Sequence, residues 1–139
     1  PIPNLLMLYF WIISLVRQKK IDIIHVTGLE YLTSLPMLML KRVLKMPFVL
    51  TVIGFPGLSW FYGVPFVDVV GKLYIFTIGK KILKIADKVI LSATVLTKDA
   101  VRLGVSIDKI EVILRGVDTK LFYPDRRRGR LLRKKLGIE

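Results

Sequence analysis

Apolar positions along the chain fall into short β-branched runs separated by longer stretches with a helical repeat. Ile21 to Val26 (IDIIHV), Phe48 to Ile53 (FVLTVI), Lys88 to Ser92 (KVILS) and Ile110 to Leu114 (IEVIL) read as buried strands. Between the first two, a helix is predicted from about Tyr31 to Lys45. Leu35, Leu38, Met39 and Val43 recur there at helical spacing, Lys41, Arg42 and Lys45 sit where cations oppose the helix dipole, and Met46-Pro47 stops it. A second helix is predicted from about Val67 to Ala86, and a third from about Leu96 to Leu103, capped by Gly104. Strands alternating with helices predict right-handed crossovers, and hence an α/β fold whose parallel sheet carries helices on both faces. Ligands of such sheets bind beyond the carboxyl ends of the strands. That rule points to Thr27-Gly28, Gly54 to Gly57, Ser92 to Thr94 and Arg115 to Asp118.

The apolar run Leu5 to Val16 (LLMLYFWIISLV), followed by Arg17, Lys19 and Lys20, has the flank of a membrane segment but not the length. A spanning helix needs about 20 apolar residues, and Asn4 with two prolines blocks extension backwards. The basic residues follow the run instead of preceding it, which is not the order of a signal peptide. A buried or interfacial helix before the first strand is therefore predicted. Pro47 to Gly71 is long and almost uncharged, but Pro47, Pro56 and Pro65 break it, so it reads as a strand running into a loop.

Composition narrows the chemistry. With 53% hydrophobic residues in 139, intrinsic disorder is excluded and one sizeable core is expected. Lys and Arg number 23 against 10 Asp and Glu, and the net charge of +13 calls for an anionic partner or surface. The absence of cysteine excludes a disulfide scaffold, a zinc ribbon and thiol catalysis. A single histidine and sparse, unclustered carboxylates indicate no metal site. Asp125 to Lys135 (DRRRGRLLRKK) holds seven basic residues and reads as a linker leading into a short helix. Arg126, Arg127, Arg128, Arg130, Lys134 and Lys135 could meet anionic lipid or nucleic-acid phosphates, or simply face solvent between domains. No helix-turn-helix, zinc finger or aromatic RNA-binding motif accompanies the charge, so nucleic acid is not favoured. The aromatic loop Trp60-Phe61-Tyr62 suits stacking on a sugar ring, a membrane interface or plain packing.

Three segments resemble one family. Asp22-Ile23-Ile24-His25-Val26-Thr27 is similar to the D-I-I-H-x-H strand of the N-terminal domain of family 4 glycosyltransferases, and Thr51-Val52-Ile53-Gly54 is placed like its T-x-H-G loop. The most specific stretch is Ala86-Asp87-Lys88-Val89-Ile90 with Ser92, then Gly104-Val105, Lys109-Ile110 and Gly116-Val117-Asp118 with Phe122 and Pro124. It resembles the A-D-x-V-I-x-x-S, G-V-x-x-x-K-I and N-G-V-D-x-x-x-F-x-P progression. The resemblance implies the Rossmann-like N-terminal half of a GT-B enzyme, which moves a sugar from a nucleotide sugar to a lipid or saccharide acceptor. It implies residues 1–124 as the acceptor-side domain, without the usual first strand, and residues 125–139 as a basic linker at the start of an absent C-terminal domain. The nucleotide sugar, a donor substrate and no resident cofactor, would be held by that domain, so the chain alone is expected to be inactive. The implied place is the cytoplasm, peripheral on the inner face of a membrane. A non-catalytic module binding nucleic acid or a membrane surface is the alternative.

Candidate acceptor contacts follow from the strand ends and the resemblance together: His25, Thr27, Gly28, Gly54, Phe55, Ser92 and Arg115. Each has a plainer role beside it. His25 suits a satisfied structural position, Gly54 and Gly57 a turn with positive φ, Ser92 a helix N-cap, and Arg115 an exposed loop cation. Ile53 stands where the family motif has histidine and Thr27 where it has a second one; an alkyl side chain carries no proton. No catalytic residue is singled out.

Overall fold

The computed structural model describes residues 2–18, 21–29 and 34–138, with side chains from Met7 onward. The order is α1 (Ile2–Arg17), β1 (Ile24–Thr27), α2 (Pro36–Leu44), β2 (Phe48–Val52), α3 (Pro65–Tyr74), a π turn (Ile75–Gly79), α4 (Lys80–Ile85), β3 (Lys88–Leu91), α5 (Leu96–Arg102), a 3-10 turn (Ile107–Lys109), β4 (Ile110–Val112) and α6 (Arg126–Leu136). All four predicted strands form and pair in parallel in the order β1-β2-β3-β4. The predicted start of α2 at Tyr31, and the cations Lys19 and Lys20, lie outside the described residues.

β1 begins at Ile24 and not at Ile21, because its ladder opens on the Pro47 carbonyl, to which the Ile24 N–H donates at 3.0 Å. The partner strand starts only after that proline. Phe48, Leu50, Val52, Val89 and Leu91 are buried on one face, with Ile24, Val26, Ile110 and Val112 packed against them. The other face carries His25, Thr27, Lys88 and Glu111, all exposed, and half-buried Val49, Thr51 and Ile90. The crossover helices thus cover a single face, unlike the expected two. Sequential strand order is the reason: crossovers of one hand, each stepping one strand the same way, all return on the same side. Covering both faces requires the order to reverse, and no reversal occurs among the described strands.

α1 packs on α2, and Tyr9, Ile12 and Ile13 reach the core. Its other side exposes Met7, Phe10 and Trp11 at spacings of three and one. No helix among the described residues is long and apolar enough to cross a membrane. α2 turns Pro36, Met37 and Leu40 inward. Of the residues at helical spacing, Met39 and Val43 are exposed, while Leu35 and Leu38 are half-buried. α3, the π turn and α4 form one helical rod from Pro65 to Ile85, close to the predicted Val67 to Ala86. Its C-terminal half supplies Ile75, Ile82 and Leu83 to the core, whereas α3 buries no residue. α5 ends at the left-handed Gly104 as predicted (φ 88°).

Candidate functional site

The parallel register brings all four carboxyl ends to one rim. Just past each strand the pairing continues by one residue. The Gly28 N–H donates to the Thr51 carbonyl (2.9 Å), Ser92 to that of Val52 (3.1 Å) and Ile113 to that of Leu91 (3.0 Å). Gly28, Ile53, Ser92 and Ile113 therefore form a row along the rim. The Ser92 hydroxyl donates to the Ile53 carbonyl (3.3 Å), tying two strand ends together. It caps no helix, contrary to the plainer expectation, because α5 begins four residues later at Leu96 with no side-chain cap.

His25 and Thr27 lie on the open face of the sheet. His25 is exposed, and its Nε2 meets the Thr51 hydroxyl of the next strand at 2.7 Å, so the imidazole is held against β2 with its remaining edge toward solvent.

The loop after β2 is built from the inside out. Phe55 is fully buried; its carbonyl accepts from Leu58, Ser59 and Trp60, and its N–H donates to the Ser59 hydroxyl (2.9 Å). Its side chain is thus a loop anchor inside the core and not a surface contact, which corrects its place among the acceptor candidates. Gly54 is buried under the Trp60 side chain, 3.2 Å from where a Cβ would stand, so close approach and not positive φ explains it. Gly57 does take positive φ (69°) and lies against the first two turns of α3, where a Cβ would stand 2.5 Å from the Asp68 carbonyl oxygen. Gly71 in turn faces Pro56. The Tyr62 N–H donates to the Asp68 carboxylate at 2.7 Å, and Trp60 stacks on Tyr62. The loop thereby clamps the inner side of α3 and leaves its outer side bare.

Arg115 is exposed beyond β4. Asp118 accepts from the Lys120 and Leu121 N–H groups at 2.9 and 3.3 Å, closing a turn. The basic residues Arg126, Arg127, Arg128, Arg130, Lys134 and Lys135 all fall on α6, the short helix expected after the linker. Asp125 caps it, accepting from the Arg127 and Arg128 N–H groups at 2.9 Å, and left-handed Gly137 ends it. A groove of about 570 Å³ runs along α6, lined by Arg130, Arg133, Lys134, Gly137 and Ile138 and by no strand-end residue. Among the described residues no group of His, Cys, Asp and Glu could hold a metal ion.

At the opposite, amino end of the sheet, Asp87 takes the Lys41 ammonium and the Phe48 N–H (2.7 Å), while the Lys109 ammonium donates to the Ala86 carbonyl (3.0 Å). Partial burial pushes the Asp87 carboxyl up, but the Lys41 and Phe48 hydrogen bonds and the charges of Lys41 and Lys109 outweigh it, and the carboxyl lies below its ordinary value.

The sequence of this scaffold matches the family model described as Glycosyltransferase Family 4 over residues 1–121. The chain belongs to glycosyltransferase family 4. The match includes α1, upstream of the motifs that carry the resemblance, and ends before Phe122, Pro124 and α6. A search of curated proteins gave no match. In this family 4 chain the bare outer side of α3 is the surface that sequence reasoning missed. The signal was an apolar stripe at helical spacing, Phe66, Val69, Val70 and Leu73, on the side opposite Asp68 and Gly71.

Proposed function

We propose that this chain is the acceptor-side domain of a glycosyltransferase, taking a lipid or saccharide acceptor at the rim of the sheet while a second domain holds the nucleotide sugar. The family match over residues 1–121 carries the reading. The rim supports it with a suitable set of groups: the Ser92 hydroxyl, His25 and Thr27 on the adjoining face, and Arg115 for an anionic acceptor, with Gly28 and Gly54 buried beneath as its backbone floor. Hydroxyls and imidazole pair with sugar hydroxyls, and a guanidinium pairs with phosphate or carboxylate. Ile53 can do neither, so any proton accepted from the incoming hydroxyl has His25 as its nearest candidate along this motif. The proposed setting is the cytoplasmic face of a membrane, with α6 contributing cations. Alone, without a donor-holding domain, the chain transfers no sugar.

The test joins the full chain to the nucleotide-binding domain of a family 4 transferase and supplies labelled nucleotide sugars with lipid and saccharide acceptors. Transfer that drops at least tenfold in His25→Ala or Ser92→Ala supports the reading. A folded fusion that transfers to no acceptor sinks it. A second reading, an anion-binding module without catalysis, is favoured by one observation: seven cations on a helix outside the matched residues. It expects salt-sensitive binding to anionic vesicles or oligonucleotides that disappears when the α6 arginines become glutamine.

A further inference from the structure

We propose that the outer side of α3, with Phe61, Tyr62 and Val64 before it, seats in the interface of an anionic bilayer. This deepens the membrane placement above but moves it from α6 to a different element. It does not depend on sugar transfer.

Phe66, Val69, Val70 and Leu73 recur at helical spacing along the side of α3 that the loop does not touch. Phe66 is 76% exposed, Val69 66% and Leu73 65%. Phe61 and Val64 extend the patch. Contiguous exposed apolar surface of this kind marks an interaction site and not a solvated face. A ten-residue helix that buries nothing inward gains little by packing, and the clamp of Pro56, Gly57 and Asp68 holds it in place regardless.

Charge selects the occupant. Continued past the π turn, the rod changes from apolar to cationic: Lys80, Lys81 and Lys84 follow in its next helical stretch. Arg102 of α5 stands 5.8 Å over the Phe76 ring, and the Lys80 and Lys84 chains lie against Gly104. An apolar stripe bordered by cations is the pattern of a helix lying in the headgroup region, where rings such as those of Phe61 and Tyr62 are favoured. A second copy of the chain would bring the same lysines and a net charge of +13 against itself. The exposed face of α1, Met7, Phe10 and Trp11, carries fewer apolar residues and ends at the single described cation Arg17. The apolar half of the rod also starts at the rim end of the sheet, where Pro56 and Gly57 meet α3.

The experiment is co-sedimentation of the full chain with vesicles of phosphatidylcholine alone or with one quarter phosphatidylglycerol. The chain is expected to pellet with the anionic vesicles. The triple variant Phe66→Asp, Val69→Asp, Leu73→Asp, which changes only exposed side chains, should lose at least tenfold in apparent affinity with its circular dichroism unchanged. Neutralising Lys80, Lys81 and Lys84 to glutamine should lose about fivefold for each lysine near the surface. Equal binding by the triple aspartate variant overturns the proposal. So does loss of binding only when the α6 arginines are replaced, or a concentration-dependent dimer abolished by the aspartates in a chain that binds no vesicle.

Discussion

Asp87 and Phe48 hold each other through both backbone and side chain: the Asp87 N–H donates to the Phe48 carbonyl at 2.8 Å, and the Phe48 N–H donates back to the Asp87 carboxylate at 2.7 Å. Lys41 joins the same carboxylate from the last turn of α2 and also donates to the Met46 carbonyl (2.9 Å). One carboxylate thus fixes the start of β2, the start of β3 and the end of a helix.

Asp87→Ala leaves the Phe48 N–H without its acceptor and is expected to destabilise the fold by about 1–3 kcal/mol. Asp87→Asn keeps an acceptor and should cost no more than about 1 kcal/mol, since the Asp87 side chain is about half exposed to solvent. Urea unfolding of the two variants separates the contributions; equal losses would show that charge, and not the hydrogen bond, dominates.

Acid should act through the same group. Its folded pKa lies below the ordinary 3.8, so its contribution is complete above the unfolded value and is lost as pH falls through the folded one. Wild-type stability should therefore drop more steeply than that of Asp87→Asn from about pH 5 downward. Parallel acid titrations followed by circular dichroism would disprove this assignment.

Two glycines with similar φ should respond very differently to alanine. At Gly63 (φ 76°) a Cβ meets nothing within 4 Å, so strain alone applies, about 1 kcal/mol. At Gly57 (φ 69°) it would stand 2.5 Å from the Asp68 carbonyl oxygen and 2.6 Å from the Lys72 nitrogen, both backbone atoms. Gly57→Ala should cost upward of about 3 kcal/mol or release α3 from its clamp. Denaturation midpoints, with proteolysis around residues 58–64 as a second readout, distinguish the two.

Asp125→Ala removes an N-cap worth about 1 kcal/mol to α6. Because α6 buries no residue, helical ellipticity should fall while the main unfolding midpoint stays put. A shifted midpoint would show α6 to be part of the cooperative core.

The fold was far more legible in the sequence than the site, and the residues explain why. Strands were readable because Val, Ile and Leu alternate with turn residues, and their order in space follows their order in the chain. The strongest motif run, from Ala86-Asp87 to Pro124, consists largely of scaffold. Asp87 and Lys109 bind backbone at the amino end of the sheet, Gly104 ends a helix, and Asp118 closes a turn. Asp87, Gly104 and Lys109 identify an architecture and sit away from the rim where an acceptor is expected. Phe55 was misjudged because a loop residue beside two glycines resembles a ligand contact, whereas here the ring fills the core beneath the loop. Helical spacing alone did not say which side of α2 is buried, because an apolar helix offers more than one stripe of correct period and only the neighbouring elements select Met37 and Leu40.

The unbroken strand order has a consequence for how the molecule is made. Each strand hydrogen-bonds to the one synthesised just before it, so a chain leaving the ribosome can add units to a finished edge without waiting for a distant partner. Only local loop closures are involved, which keeps their entropic cost low. Assembly is in this sense vectorial, and a stalled chain ending after Leu91 would already hold a three-stranded sheet ready to accept the fourth.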